Sequence, residues 1–124
     1  MNFIATQLQG CYCIEPKIFN DNRGYFMESF NEKTFYEKTG QQIHFVQDNQ
    51  SFSSKGVLRG LHYQVGEHAQ SKLIRVLSGE ILDIAVDIRP DSVTYGQHVT
   101  ILLSSENQKQ FFIPKGFAHG FLVL

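Results

Sequence analysis

Cysteine is scarce in this chain of 124 residues, and its two copies, Cys11 and Cys13, are separated by a single residue. Two positions apart on a strand they point to one side, and one tight turn does not readily satisfy disulfide geometry. With no CxxC pair and no further cysteine, the sequence argues against a disulfide scaffold and a zinc–thiolate site. The expectation is two reduced thiols in a cytoplasmic protein. No apolar run is long enough to cross a bilayer, so no membrane partner is expected. Met1-Asn2-Phe3-Ile4 has no basic region leading into an apolar stretch, so no signal peptide is expected. Positive charge is also thin: eleven Lys and Arg against twelve Asp and Glu leave a net charge of −1, and the basic residues are scattered. A nucleic-acid partner needs clustered cations to displace counterions, and none is expected. Anionic small molecules stay open, because two or three converging arginines suffice for a diphosphate. Repeats, linkers and low-complexity segments are absent, which makes residues 1–124 one domain.

A domain of this size buries about two thirds of its unfolded surface, and the 42% hydrophobic content supplies a core. One helix is legible: Asn31 caps Glu32 to Thr39, Gly40 stops it, and Phe30 with Phe35 occupies the positions of a hydrophobic staple. Nearly everything else reads as strand. Glu80 to Arg89 alternates, with Leu82, Ile84, Val86 and Ile88 on one side and Asp83, Ala85, Asp87 and Arg89 on the other. Lys72–Leu77 is a β-rich run, and Ser78-Gly79-Glu80 suggests a hairpin turn between the two. Further strands are expected at Gly24–Phe30, Ile43–Gln50, Val57–Gln64, His98–Leu103, Gln110–Ile113 and Gly120–Leu124. Many short strands with one short helix make the chain mainly β, an antiparallel sandwich or barrel. Asp83 is read equally as solvent-exposed or as lining the lumen of a ligand-holding barrel.

Two phrases do not read as ordinary β-core. Gly56-Val57-Leu58-Arg59-Gly60-Leu61-His62-Tyr63-Gln64 sets an arginine and a histidine in an apolar segment, and Pro114-Lys115-Gly116-Phe117-Ala118-His119-Gly120 ends near a second histidine. Burying such groups costs a few kcal/mol (about 2–7) without partners. On a flat strand Arg59 and His62 have opposite parity, and Gly60 between them marks a candidate bulge that turns both inward. The spacing resembles the cupin frame, small jelly-roll barrels whose metal-binding members carry Gly-x5-His-x-His, then Glu-x6-Gly, and later Pro-x-Gly-x-x-His. Here Gly56, His62, Gly79, Pro114, Gly116 and His119 keep the frame, while Gln64 replaces the second histidine and Lys72 the glutamate. A protonated lysine cannot coordinate a divalent cation, and two histidines are too few for a tight transition-metal site. The expectation is therefore a cavity with no metal and no cofactor, in which His62, Lys72 and His119 cluster. His44, His68 and His98 lack ligand spacing and read as surface residues.

Such a cluster suits proton abstraction next to a carbonyl. A neutral His62 serves as base, and Lys72 or a protonated His119 stabilises the enolate oxygen. Arg23 with Phe26, in the turn-and-strand segment Asp21–Glu28, suits a phosphate and a stacked base. Gln47 and Asn49 share a strand face opposite Asp48 and suit hydrogen bonds to a polar ligand.

These segments together closely resemble the dTDP-4-dehydrorhamnose 3,5-epimerase family. The matching stretches are Glu15–Phe19, Asp21–Phe30, Phe45–Asn49, Val57–Gln64, Ala69–Leu73, Gly79–Arg89, Leu103–Asn107 and Ile113–Leu124. The resemblance implies a cupin-like jelly-roll β-barrel subunit that forms a homodimer. It also implies cofactor-free epimerisation of dTDP-4-dehydro-6-deoxy-D-glucose at C3 and C5, in dTDP-L-rhamnose biosynthesis. By the family pattern His62 is the base and Lys72 contacts the keto oxygen. Arg59 and His119 bind substrate, and Gln47, Asp48 and Asn49 line the site. Arg23, Phe26 and Glu28 meet the nucleotide, partly across the dimer interface. The family's general-acid tyrosine and the aspartate that orients its base lie beyond the point matching Leu124. None of Tyr12, Tyr25, Tyr36, Tyr63 or Tyr95 sits at that tyrosine's position, so the expectation is a domain lacking its C-terminal part. The alternative is a nucleotide-sugar-binding cupin without turnover.

Overall fold

Alternation of side chains across short strands builds most of the molecule, and the computed structural model describes residues 1–124. The strands are β1 (Asn2–Ala5), β2 (Tyr12–Glu15), β3 (Ile18–Asp21), β4 (Gly24–Met27), β5 (Leu58–His62), β6 (Lys72–Arg75), β7 (Glu80–Asp87), β8 (His98–Ser104), β9 (Gln110–Ile113) and β10 (Phe117–Val123). One α-helix, α1 (Glu32–Thr39), follows β4, and a single 3₁₀ turn spans Gly66–His68. All pairings are antiparallel, in a four-stranded sheet ordered β1-β2-β9-β6, a four-stranded sheet ordered β5-β10-β7-β8, and the separate hairpin β3-β4. No helix is long and apolar enough to cross a membrane.

The two larger sheets face each other across one core. Phe111, Ile113 and Ile74 from the first sheet meet Ala85, Leu103, Phe117, Val99 and Ile101 from the second, with Leu8 and Cys11 between them. A fully buried side chain of this kind contributes about 1.5–3 kcal/mol relative to an exposed one. On β7 the small and acidic residues face inward: Asp83, Ala85 and Asp87 are buried, while Leu82 is partly exposed. Burial pushes the Cys11 thiol up to about 12, and both cysteines are buried and free.

Helix α1 covers the outer face of the first sheet. The Asn31 side chain accepts a hydrogen bond from the Thr34 N–H at 3.0 Å, and Gly40, at φ 70°, donates its N–H to Tyr36 O at 2.8 Å. Both ends are thus capped as expected. Phe30 and Phe35 lie 6.0 Å apart, and Phe35 packs edge-on to Phe112 of β9 at 4.7 Å.

Some expected elements differ. Residues 43–50 form no strand: Ile43 and Phe45 pack into the α1 cluster, while Gln47, Asp48 and Asn49 offer the sheet no apolar face and are exposed. The turn at Ser78-Gly79-Glu80 is not a hairpin, because β6 pairs with β9 and β7 with β8 and β10, so this segment crosses between sheets. β4 ends at Met27 and β10 begins at Phe117. Strands β1 to β3 were not anticipated.

Candidate active site

The register of β5 against β10 organises the site. His119 pairs with His62 and Phe121 with Arg59, so two steps on β10 match three on β5. That one-residue bulge gives Arg59 and His62 the same parity relative to β10, which a flat strand denies them. The expected bulge at Gly60 is present. From the opposing sheet, Lys72 pairs with Ile113 and so shares its inward face. Its Nζ reaches 3.4 Å from His62 Nε2. For the ammonium to donate there, Nε2 must hold its lone pair, which places any imidazole proton on Nδ1.

Behind this pair lies a second. His119 Nε2 is 2.5 Å from Asp83 Oδ1, with His119 6% exposed and Asp83 0%. The His62 and His119 rings meet edge-on at 5.8 Å. Asp83 thus lines the interior; the solvent reading fails. The deciding signal is long-range: Asp83 pairs across strands with Phe121, two residues from His119. Asp83 Oδ2 and His119 Nδ1 are both buried without a partner.

The electrostatics follow from this packing. Partial burial, then the nearby Lys72 and His119, hold His62 below the ordinary histidine value, so it is neutral at neutral pH. Burial also lowers the Lys72 pKa, and the Asp83 carboxylate opposes that shift. Asp83 is raised by burial, against the His119 hydrogen bond and charge and against Lys72. The result is a neutral imidazole beside an ammonium, with a buried carboxyl group behind. No three His, Cys, Asp or Glu side chains converge as a metal site requires. The arrangement can take a proton from carbon and stabilise an adjacent oxyanion.

The other candidates are exposed and make only local contacts. Arg23 pairs with Asp21 at 2.7 Å, Glu28 accepts from Asn31, and Phe26 is 70% exposed, all in or beside the β3-β4 hairpin. Gln47 donates to Asn49 at 3.2 Å in the loop after α1, and Asp48 is exposed there. No hydrogen bond links these six residues to His62, Lys72 or His119. His44, His68 and His98 are exposed, as expected.

The family model described as dTDP-4-dehydrorhamnose 3,5-epimerase matches residues 5–124, a span that contains every one of these groups. The chain belongs to the dTDP-4-dehydrorhamnose 3,5-epimerase family. The Shigella flexneri dTDP-4-dehydrorhamnose 3,5-epimerase is 56% identical over 124 residues, all of this chain and 68% of the relative. The crystal structure of the epimerase from Elizabethkingia anophelis NUHP1 superposes with a TM-score of 0.96 at 56% identity, covering 100% of this chain and 68% of that one. That of dTDP-6-deoxy-D-glucose-3,5-epimerase from Legionella pneumophila Philadelphia 1, in complex with dTDP-4-keto-L-rhamnose, gives 0.94 at 58% identity, covering 99% and 65%. The chain therefore spans about two thirds of the length of these epimerases. Its two facing sheets are those of the family's cupin-like jelly roll.

Proposed function

We propose that this chain epimerises dTDP-4-dehydro-6-deoxy-D-glucose at C3 and C5, giving dTDP-4-dehydro-L-rhamnose in dTDP-L-rhamnose biosynthesis. The observation that carries the proposal is the contact between Lys72 Nζ and His62 Nε2, 3.4 Å, inside a family match that spans the chain. The C4 ketone acidifies the hydrogens on both flanking carbons. On entry, the keto oxygen takes over the Lys72 hydrogen bond and frees the His62 lone pair. His62 removes the proton from C5 or C3, electrons move onto the C4 oxygen, and Lys72 stabilises the enolate. A preorganised donor of this kind contributes on the order of 3 kcal/mol. Inversion then needs a proton delivered to the opposite face.

His119, whose ring meets that of His62 edge-on, contacts the sugar from the floor of the site. Asp83 holds its ring. Arg59, on the His62 side of β5, binds the substrate's anionic part, and Gln47, Asp48 and Asn49 border it. Arg23, Phe26 and Glu28 receive the nucleotide. Their hairpin pairs with neither larger sheet and exposes Phe19 and Phe26, which suits an arm serving the second subunit of a homodimer. We place this chemistry in the cytoplasm, where free thiols such as Cys11 and Cys13 persist.

A second reading, nucleotide-sugar binding without turnover, is favoured by one observation: none of the five tyrosines hydrogen-bonds to His62, Lys72 or His119. Incubation with the keto sugar in deuterium oxide separates the two. Epimerisation predicts deuterium at C3 and C5 by NMR, abolished in His62→Ala while calorimetric dTDP binding persists. Binding without exchange in the parent establishes the second reading, and undiminished exchange in His62→Ala removes His62 as the base.

A further inference from the structure

The β5 bulge requires two backbones to touch, and both residues at the contact are glycine. A Cβ built on Gly60 would stand 2.7 Å from the His119 carbonyl oxygen, 2.9 Å from Gly120 Cα and 3.2 Å from His62 Nδ1. A Cβ on Gly120 would stand 2.7 Å from the Arg59 carbonyl oxygen and 3.2 Å from Leu61 Cδ2. Gly60 lies at φ 99°, so its backbone alone favours glycine. Gly120 has no such conformation. Nothing about its own backbone excludes alanine, so the requirement there is space.

We propose that Gly60 and Gly120 form a positioning contact that lets β5 lie against β10 closely enough for the bulge, and so sets Arg59 and His62 on one face beside His119. The inference rests on the proposed roles of His62 and Lys72 and adds residues that touch no substrate. Ordinary carbon–oxygen contact begins near 3.3 Å, so alanine at position 120 must move the Arg59 carbonyl by about 0.6 Å. His62 and Lys72 are already 3.4 Å apart, at the outer limit for a hydrogen bond. A shift of that size in β5 breaks their alignment.

The charged and titratable groups around His62 are Lys72 on β6, His119 on β10, Asp83 on β7 and Arg59 on its own strand. Partial burial, Lys72 and His119 together keep its titration low. Titration of the His62 ring by NMR therefore reports its position without any need for turnover. In Gly120→Ala the His62 midpoint is expected to rise toward the ordinary histidine value. In Leu103→Ala, which destabilises the core away from this contact, it is expected to stay where it is in the parent. In the epimerisation assay Gly120→Ala is expected to lower kcat about 10²-fold with little change in KM. A folded Gly120→Ala protein whose His62 titrates as in the parent overturns the proposal. If Gly120→Ala does not fold, Gly60→Ala probes the same contact from β5. Gly56→Ala, also at positive φ (87°) but with nothing within 4 Å of the added Cβ, is the control for backbone strain. Failure of both to fold also overturns the proposal, since the contact would then be a condition of the sheet rather than of the site. A parent protein with the low His62 midpoint but no deuterium exchange refutes the catalytic reading and leaves the positioning contact standing.

Discussion

Replacing Asp87 by asparagine should unfold the β7–β10 end of the sandwich at lower denaturant, and the structure sets the size of the effect. The Asp87 side chain is fully buried and accepts five hydrogen bonds: from the Arg89 backbone N–H at 3.0 Å, Arg89 Nε at 3.1 Å, Arg89 Nη2 at 3.0 Å, and the Ser92 and Thr94 hydroxyls at 2.5 Å each. Arg89 in turn lies 4.6 Å over the Phe117 ring at the start of β10. Asparagine keeps the volume but loses the charge and turns one acceptor into a donor facing other donors. Breaking a buried ion pair costs about 3–5 kcal/mol, and the low end applies here because the Arg89 left behind is 32% exposed. Against a total of about 5–15 kcal/mol, a loss near 3 is decisive, and with a urea m-value of about 2 kcal/mol/M it lowers the midpoint by roughly 1.5 M. The pH dependence supplies a second check. Burial raises the Asp87 pKa, but the hydrogen bonds from Arg89, Ser92 and Thr94 outweigh it and hold the carboxyl well below the usual range. Its stabilisation is therefore complete above the unfolded value, about 3.9, and fades as the pH falls below it. The gap between parent and Asp87→Asn should be constant from about pH 5 to 8 and about 1 kcal/mol narrower at pH 3. A gap under 1 kcal/mol at pH 7, or one unchanged on acidification, refutes the reasoning.

Asp83→Asn removes the buried carboxylate that opposes the fall in the Lys72 pKa, so the Lys72 ammonium should titrate lower still, followed by NMR of its side chain; an unmoved midpoint contradicts their proximity. Phe35→Ala removes the ring that meets Phe3, Phe30, Phe45 and Phe112 and should cost about 3–5 kcal/mol in urea unfolding, with a loss below 1 kcal/mol showing that α1 is not anchored there. Burial raises both thiols, Cys11 to about 12, so a thiol-reactive disulfide dye at pH 8 should leave the native protein unlabelled and modify both cysteines in guanidinium; rapid labelling of the native state contradicts their burial.

Local signals read well where the physics is local. The cap at Asn31, the stop at Gly40 and the Phe30–Phe35 staple involve residues within one or two turns, and all three occur as expected. The alternation of β7 showed two faces but not which one is inside, because Leu82 and Asp83 each have a plausible home. Only the opposing sheet decides that, since it closes over Asp83, Ala85 and Asp87. Residues 43–50 misled for the same reason. Ile43 and Phe45 have strand-like spacing, but the partner that buries them is a helix. Position 83 carries a signal of its own, an acid of the same parity as Ala85, but its meaning depends on a pairing 38 residues away, to Phe121.

The cupin frame shows how one scaffold accommodates a different reaction. The two histidine phrases keep their places, and the fold brings His62 and His119 side by side on adjacent strands. At the position of an acidic ligand stands Lys72, whose ammonium lies beside His62. A carboxylate there would raise the basicity of the imidazole and favour its charged form. The lysine does the opposite, and with the partial desolvation of the exposed His62 ring and the nearby His119 it lowers the imidazole's pKa. In the proposed mechanism the same cation meets charge as it develops on the ketone oxygen. Asp83 limits the cost of this design. Without a buried anion behind it, a partly buried ammonium beside the His62 imidazole would lose its proton more readily, and its proposed worth as an oxyanion donor would go with it. The His119–Asp83 pair at 2.5 Å is thus more than an anchor for one ring. On this reading it balances the charge of the site, so that a neutral base and a charged donor persist 3.4 Å apart.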